Sequence, residues 1–267
     1  MISVICVYNN KKIFDGYLAK SLQKQNAQFE LIGIDNSTGD FSSAAGALNW
    51  GARQAQAESR YFMFAHQDVM LASDDWLQKM VSMIESLPNF AVGGVAGRKE
   101  HHVNGISNIM HGPSLAAAAV RIEKPEEVMT VDECLAVIPR PIFEKHQFDE
   151  SVCDGWHAYM VEYCLRIKQA GLGVYVLPCE LYHGSPGTLN AAYFKAINKV
   201  LRKHKGAYNK IYTICGCWDA RTPIFFQWLS FIMKRKFYGF TGRLIASGLV
   251  PAWMQRKKRR RLQAGSQ

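Results

Sequence analysis

The feature that most constrains the fold is a series of short apolar runs, each of which stops abruptly at polar residues. The clearest run is 61–69, in which five apolar or aromatic residues precede His66, Gln67 and Asp68. Short runs without helical periodicity predict strands that are buried on both faces. In an open α/β sheet, ligands bind just outside the carboxyl ends of such strands. Asp68 is therefore a candidate ligand-binding carboxylate, and its alternative role is to cap the helix predicted after Ser73.

The remaining apolar segments alternate between strand-like and helix-like spacing. Strands are predicted at 2–8, 29–35, 61–69, 91–96, 128–138 and 174–183. Helices are predicted at 13–25, 44–57, 75–85, 140–144, 157–170 and 189–203. This alternation predicts an α/β fold with a mostly parallel central sheet flanked by helices. The looser stretch 101–124 is expected to form an inserted hairpin or a loop.

Length and composition limit the class of protein. A chain of 267 residues with 48% hydrophobic content suits one large α/β domain or two small ones. The sequence contains no uncharged apolar run of 18 residues, so no membrane-spanning helix is predicted. Its first residues resemble a strand and lack the basic start of a signal peptide. Seven scattered cysteines favour a reducing, cytosolic compartment.

The net charge of +10 is concentrated in the last part of the chain. After Asp219 there are 11 Lys and Arg and no acidic residue, whereas the preceding part is close to neutral. We therefore predict a domain over 1–205. Residues 206–267 are predicted to form a basic, aromatic-rich, amphipathic helical extension.

The extension has the composition of an interfacial helix, with aromatic residues beside Lys and Arg clusters. It predicts peripheral attachment to an anionic membrane surface, on the cytoplasmic, inner face of the cell membrane. The alternative is that 207–250 packs on the domain and only the last dozen residues form a solvated basic tail. No nucleic-acid-binding motif accompanies the basic residues, so nucleic acid is not an expected partner.

Polar residues end three of the predicted strands, namely Asp35, Asp68 and His183. In a parallel sheet the first two lie at one edge, where a nucleotide would bind. A carboxylate with an imidazole suits a divalent cation such as Mn²⁺ or Mg²⁺. Such an ion would neutralise the charge on a departing diphosphate.

Several segments between residues 2 and 190 resemble, in order, the family 2 glycosyltransferases of the GT-A fold. The first two strands resemble theirs, and 66–68, His-Gln-Asp, occupies the place of their DxD motif. The segments 131–140 and 148–150 are similar to their acceptor-side strand and their Phe-Asp-Glu motif. Residues 156–166 are similar to the helix that carries their catalytic acid. The closest likeness is to a bacterial glycosyltransferase-like branch.

The resemblance implies a metal-assisted glycosyltransferase that uses a nucleotide-diphosphate sugar, most often a UDP-sugar. Within the domain 1–205, it implies a nucleotide-sugar half at about 1–100 and an acceptor half at about 101–205. The acceptor would be a hydroxyl of a glycan or a lipid-linked sugar, in bacterial surface polysaccharide synthesis. Asp68 and His183 would bind the metal, while the donor or acceptor sugar would contact His66, Trp156 and His157. The nucleotide would contact Val7, Tyr8, Asn9, Asp35, Gly46, Asn49 and Gln67.

Two positions depart from the family pattern. His66 replaces the first Asp of DxD, and Met160 falls where the family has its general base. One interpretation assigns the base to Asp154 or Glu162 in a shifted site. Their alternative roles are a helix cap for Asp154 and an i,i+4 ion pair with Arg166 for Glu162.

Other interpretations remain for the whole chain. The reaction could retain configuration and need no such base, or the protein could bind nucleotide sugars without catalysis. A dinucleotide-binding Rossmann domain is disfavoured because no GxGxxG follows the first strand.

Overall fold

The computed structural model describes residues 1–111, 114–115, 119–185 and 189–233. Its strands are β1 (Ile2–Tyr8), β2 (Phe29–Asp35), β3 (Tyr61–Ala65), β4 (Val69–Leu71), β5 (Phe90–Gly94), β6 (Ala96–Arg98), β7 (Gly105–Ser107), β8 (Ile109–His111), β9 (Ser114–Leu115), β10 (Ala119–Val120), β11 (Glu126–Glu127), β12 (Thr130–Val131), β13 (Leu135–Pro139), β14 (Gly173–Val176), β15 (Leu181–His183), β16 (Lys210–Thr213) and β17 (Gly216–Asp219).

The first helical stretch is composite, with α1 (Lys11–Phe14), a π-helical turn (Asp15–Ala19) and α2 (Lys20–Leu22). It begins where the Asn10 side chain accepts the N–H of Ile13, which satisfies a donor that the helix leaves open. The other helices are α3 (Ala44–Ala52), α4 (Trp76–Ile84), α5 (Arg140–Lys145), α6 (Tyr159–Gln169) and α7 (Ala191–His204).

The central sheet has seven strands in the order β11-β14-β5-β13-β3-β1-β2. Five of them run in one direction, while β13 and the edge strand β11 run in the other. The prediction of a mostly parallel sheet flanked by helices is confirmed. A smaller four-stranded sheet, β4-β15-β8-β9, lies at the end where β3 stops.

The two faces of the central sheet are covered by different helices. Phe143 of α5, Tyr163 of α6 and Leu48 of α3 are buried in the core on one face. Leu18 from the composite helical stretch and Leu77 of α4 are buried in the core on the other. Apolar surface on both faces of the sheet is thus removed from water, which explains why its strands read as continuous apolar runs.

Three predicted strands are each divided in the structure. The run 61–69 ends as a strand at Ala65, and 128–138 breaks between β12 and β13. The run 174–183 is split into β14 and β15, which belong to different sheets. The first two breaks release polar residues at 66–68 and 132–133, and the split of 174–183 puts His183 at the end of β15 in the smaller sheet. The stretch 101–124 contains the short strands β7 to β10, so hairpin-like pairing is present in it.

The chain divides into two compact units, 1–221 and 222–267. The division falls later than the predicted boundary at residue 205, because the hairpin β16–β17 is part of the first unit. Ile211 is fully buried and the Thr130 hydroxyl donates to the Tyr212 carbonyl at 2.7 Å.

In the second unit residues 224–233 are helical. The rest of that prediction, 234–267, lies outside the described residues. Among the described helices, none has the length and apolar character needed to cross a membrane.

Candidate functional site

Three potential metal ligands converge beyond the end of β3. His66 and Asp68 occupy the turn between β3 and β4, and His183 is the last residue of β15. Because β15 pairs with β4, His183 lies opposite Val69 and the Gly184 N–H donates to the Asp68 carbonyl at 2.9 Å. One ligand atom from each of His66, Asp68 and His183 lies within 4.8 Å of the others. The sheet pairing therefore gathers the predicted metal residues, with His66 as a third.

Asp68 and the two imidazoles of this cluster affect one another's ionisation. His183 Nε2 lies 3.3 Å from Asp68 Oδ1. Burial opposes ionisation of Asp68, but hydrogen bonds from His183 and Ser185 and the His183 charge hold the pKa of Asp68 far below its usual range. Burial, together with the neighbouring His183, lowers the pKa of His66. A neutral imidazole and an ionised carboxylate are the forms that bind a divalent cation.

The alternative role of Asp68, as the cap of the next helix, is not present, because the N-cap position of α4 is occupied by Asp75.

Gln67 joins this turn to the end of β1. Its side-chain oxygen accepts the N–H groups of Asn9 and Asn10 at 3.1 and 3.0 Å. Its amide nitrogen donates to Asn9 Oδ1 at 2.9 Å. Gln67 and Asn9, both predicted to contact the nucleotide, therefore hold the two strand ends together at the predicted nucleotide edge.

Tyr8 and Asp35 are paired neighbours at the carboxyl ends of β1 and β2, as predicted. The Tyr8 ring stacks on Phe14 with centroids 4.5 Å apart. Asp35 is exposed, and hydrogen bonds from Ser37 lower its pKa. Val7 precedes Tyr8 on the same strand and is half-buried. The first strand ends thus present an ionised, accessible carboxylate beside an aromatic ring.

The prediction for Asn49 is corrected by its surroundings. Asn49 is 2% exposed. Its amide donates to the Phe148 carbonyl and accepts the Phe148 N–H, at 2.9 and 3.0 Å. The amide nitrogen of Asn49 also donates to the Glu150 carboxylate at 2.9 Å. Asn49 therefore fixes the 148–150 segment to α3 and has no free group for a nucleotide. Gly46 lies beside the same Glu150, where an added Cβ would be 3.3 Å from its carboxylate.

Trp156 and His157, predicted to contact sugar, lie in the loop before α6. Trp156 is 43% exposed, as an aromatic surface for a sugar ring requires. His157 is half-buried against the Tyr193 ring, with centroids 5.9 Å apart. Burial lowers the pKa of His157, and its charge in turn acts on His66. His157 therefore lies within electrostatic reach of the cluster formed by His66, Asp68 and His183.

The two predicted base residues are engaged elsewhere. Asp154 is exposed and forms an ion pair with Lys199 of α7 at 2.5 Å. Glu162 is fully buried and accepts from Arg166 at 2.9 Å and from Lys203 at 2.5 Å. The i,i+4 pair offered as the alternative role of Glu162 is thus present. An acceptor hydroxyl has no access to Glu162, because the residue is fully buried and Arg166, Lys203 and His204 surround its carboxylate.

Two acidic residues that the sequence analysis left out lie close to the cluster. Asp132 and Glu133 form the break between β12 and β13. The next residue, Cys134, accepts the His66 backbone N–H at 2.9 Å, and the Asp132 charge acts on His66. The sequence pattern predicts 128–138 as a single strand. Adjacent carboxylates inside an apolar run were the missed signal, because charged groups are costly in a buried strand.

Known proteins share this fold at low sequence identity. TarS 1–349 from S. aureus covers 76% of this chain with a TM-score of 0.52 and 14% identity. Mannosyltransferase PcManGT from Pyrobaculum calidifontis covers 78% with a TM-score of 0.52 and 12% identity. GalNAc-T7 covers 77% with a TM-score of 0.54 and 13% identity. The chain spans 63%, 64% and 48% of these three proteins, respectively.

The sequence itself gives a family assignment. No match was found among curated proteins. Residues 3–184 match the family described as "Glycosyltransferase like family". This range includes β1, α6 and the three potential metal ligands His66, Asp68 and His183. The chain therefore belongs to the glycosyltransferase-like family, and the GT-A fold expected from the sequence is confirmed.

Proposed function

We propose that the protein transfers one sugar from a nucleotide-diphosphate sugar to a hydroxyl of a glycan or lipid-linked acceptor. The observation that carries the proposal is the convergence of His66, Asp68 and His183 beside the open ends of β1 and β2. A nucleotide whose diphosphate is held there would have its base and its ribose near Tyr8 and Asp35. Structures with this fold support the choice of donor, since TarS has been crystallised with UDP-GlcNAc and PcManGT with GDP-Man and Mn²⁺.

The three potential metal ligands, His66, Asp68 and His183, fit a divalent transition-metal ion. Two imidazoles and one carboxylate suit Mn²⁺ better than Mg²⁺, which favours oxygen ligands in an octahedral arrangement. When bound, such an ion would supply Lewis-acid stabilisation of the leaving diphosphate. The chain's own residues orient the ligands, because Asp68 holds His183 and Gln67 fixes the turn to β1.

We further propose that the enzyme acts in bacterial surface polysaccharide synthesis at the inner face of the cell membrane, attached through its C-terminal unit. The helical residues 224–233 expose Phe225, Phe226, Leu229 and Met233, and the basic sequence follows them. An apolar helix face beside Lys and Arg suits an anionic lipid surface. Lipid-linked acceptors are available at such a surface.

The test is calorimetric titration with UDP-GlcNAc, UDP-GalNAc and GDP-Man, with and without Mn²⁺, followed by assays of donor hydrolysis. Mn²⁺-dependent binding with slow hydrolysis of one donor is expected. Binding with no hydrolysis under any condition would favour the non-catalytic alternative. If no donor binds, the proposal fails.

A further inference from the structure

The structure offers a base other than the two that the sequence suggested. We propose that Glu133 accepts the proton of the attacking hydroxyl, in a chain where Met160 has no group to do so. The inference rests on the proposed function and names a catalytic residue of that same site. It starts from the location of Glu133, in the break between β12 and β13, next to the residue that binds the His66 backbone.

The carboxyl group of Glu133 meets the first turn of α6. The backbone N–H groups of Ala158, Met160 and Tyr159 lie near it and favour its ionised form, which partly offsets the larger effect of burial on its pKa. Ala158 precedes the helix with φ of 66°, a left-handed conformation that is unfavourable for a residue with a Cβ. Backbone strain of this kind persists where the surrounding structure enforces it. The carboxyl group therefore lies beside the first turn of α6, which carries Met160.

One oxygen of this carboxyl group is left for other use. Glu133 Oε1 is buried and has no hydrogen-bond partner among the described residues. The residue as a whole is only half-buried, so it also borders open space. Buried polar atoms almost always have partners, and an exception calls for an explanation such as a catalytic role. Glu133 Oε1 is therefore available as a proton acceptor.

The surroundings of Glu133 keep its carboxyl group largely protonated, and therefore uncharged, at physiological pH. The titratable groups that it affects or that affect it are Asp132 on its own turn, Cys153 in the loop before α6, Tyr159 of α6, Tyr193 of α7 and Cys215 of the β16–β17 turn. Burial, and then the charge of Asp132, raises the pKa of Glu133 to about 8. A base works best when its pKa lies near the operating pH.

In the proposed step, ionised Glu133 takes the proton of the acceptor hydroxyl while that oxygen forms a bond to the anomeric carbon. The bond from this carbon to the diphosphate oxygen breaks, and its electron pair leaves with the nucleotide diphosphate. Attack opposite the leaving group inverts the configuration. The products are the glycoside, the nucleotide diphosphate and protonated Glu133, which then loses its proton to solvent.

The experiment measures Mn²⁺-dependent hydrolysis of UDP-GlcNAc, UDP-GalNAc and GDP-Man by the full chain, with water as the acceptor, from pH 6 to 9.5. In the wild type, kcat/KM for the hydrolysed donor should rise with an inflection near the pKa of about 8. Glu133→Gln should lower kcat on the order of 100- to 10,000-fold and remove this inflection. Its Kd for the donor should stay within about 3-fold, since a base lost from the chemical step leaves ground-state binding in place.

Two further variants separate catalysis from folding. Glu133→Gln/Met160→Asp should recover part of the lost kcat, because it returns a carboxylate to the same helix turn, whereas a purely structural loss would not be recovered. Glu127→Gln is the matched control, since Glu127 is an exposed carboxylate paired with Lys168, and its kcat should be unchanged. Melting temperatures are recorded for every variant.

Several outcomes would overturn the assignment. These are a wild-type profile that is flat around pH 8, near-normal kcat in Glu133→Gln, or a larger loss in Asp132→Asn or Asp154→Asn. The wild-type profile decides the question even if Glu133→Gln does not fold. Failure of the wild type to bind any of the three donors would instead overturn the proposed function, and the inference with it.

Discussion

At the residue scale, Asp68 is the centre of the candidate site because it connects both strands that form it. Its carboxylate faces His183 across 3.3 Å, and its carbonyl accepts the Gly184 N–H. The backbone bond orients the β15 end without the Asp68 side chain. A change of the side chain alone should therefore remove a ligand and leave the local fold intact.

Asp68→Asn is predicted to weaken Mn²⁺ binding by more than about 100-fold, because even loss of a group that only supports a ligand costs about 10- to 100-fold. The measurement is calorimetric titration of the full chain with MnCl₂. Asp40→Asn, at an exposed carboxylate bound to Thr38, is the control and should bind as the wild type does. Equal Mn²⁺ affinity in Asp68→Asn and the wild type would remove Asp68 from the metal site.

At the element scale, Glu162 joins α6 to α7. Its carboxylate accepts from Arg166 of α6 and Lys203 of α7, and His204 Nε2 lies 3.3 Å away. Burial alone would raise the pKa of Glu162, but the His204 hydrogen bond and the Arg166 and Lys203 charges lower it below its usual 4.5. These contacts should contribute to stability, since removing one partner of a buried ion pair is costly.

Glu162→Gln is predicted to lower the free energy of unfolding by about 3 kcal/mol at pH 7, the lower end for such a loss. Because the folded pKa is lowered, the ionised form stabilises the protein fully above pH 4.5, and this contribution is lost as pH falls through the folded pKa. The difference between wild type and variant should therefore shrink below pH 4.5. Urea denaturation at several pH values measures it, and a difference independent of pH would contradict this account.

The approach of α3 to the central sheet depends on a glycine. A Cβ on Gly51 would lie 2.6 Å from Ile34 Cδ1 and 2.8 Å from Ile5 Cγ2. Both isoleucines are buried on the sheet, so they have little room to move. The small residues of α3 therefore set its distance from β1 and β2.

Gly51→Ala is predicted to destabilise the protein by about 1–2 kcal/mol, because overpacking outweighs the better helix propensity of alanine. Gly16→Ala is the matched control, since a Cβ there meets no atom within 4 Å. That variant should be neutral or more stable by up to about 1 kcal/mol. Midpoints of urea denaturation compare the two, and a stabilised Gly51→Ala would show that α3 has space to move.

At the scale of the whole molecule, the sequence predicted the elements better than their breaks. Apolar runs located the sheet, and the strand ends identified Asp68 and His183, which the structure brings close together. Periodicity could not show where Leu181–His183 leaves the central sheet or where Asp132 interrupts a strand, because both depend on pairing with distant residues. Asn49 was misassigned for the same reason, since its partner Phe148 is 99 residues away. Short-range patterns identify residues at strand ends, but tertiary contacts decide which remain free.

The C-terminal unit gives the last prediction. Residues 224–233 expose Phe225 and Phe226 to 58% and 59%, beside exposed Leu229 and Met233. Replacing these four residues by Ser in the full chain should weaken binding to vesicles of phosphatidylglycerol and phosphatidylcholine by more than about 10-fold, because each buried apolar side chain is worth about 1.5–3 kcal/mol.

Sedimentation with the vesicles measures this binding, and donor affinity serves as the control for a folded first unit. Wild-type binding should also fall at high NaCl and with pure phosphatidylcholine, since Lys and Arg attract anionic lipid and salt screens them. Vesicle binding by the variant equal to that of the wild type would show that this helix face is not the membrane contact. Binding that survives both high salt and neutral lipid would contradict the role of the basic residues.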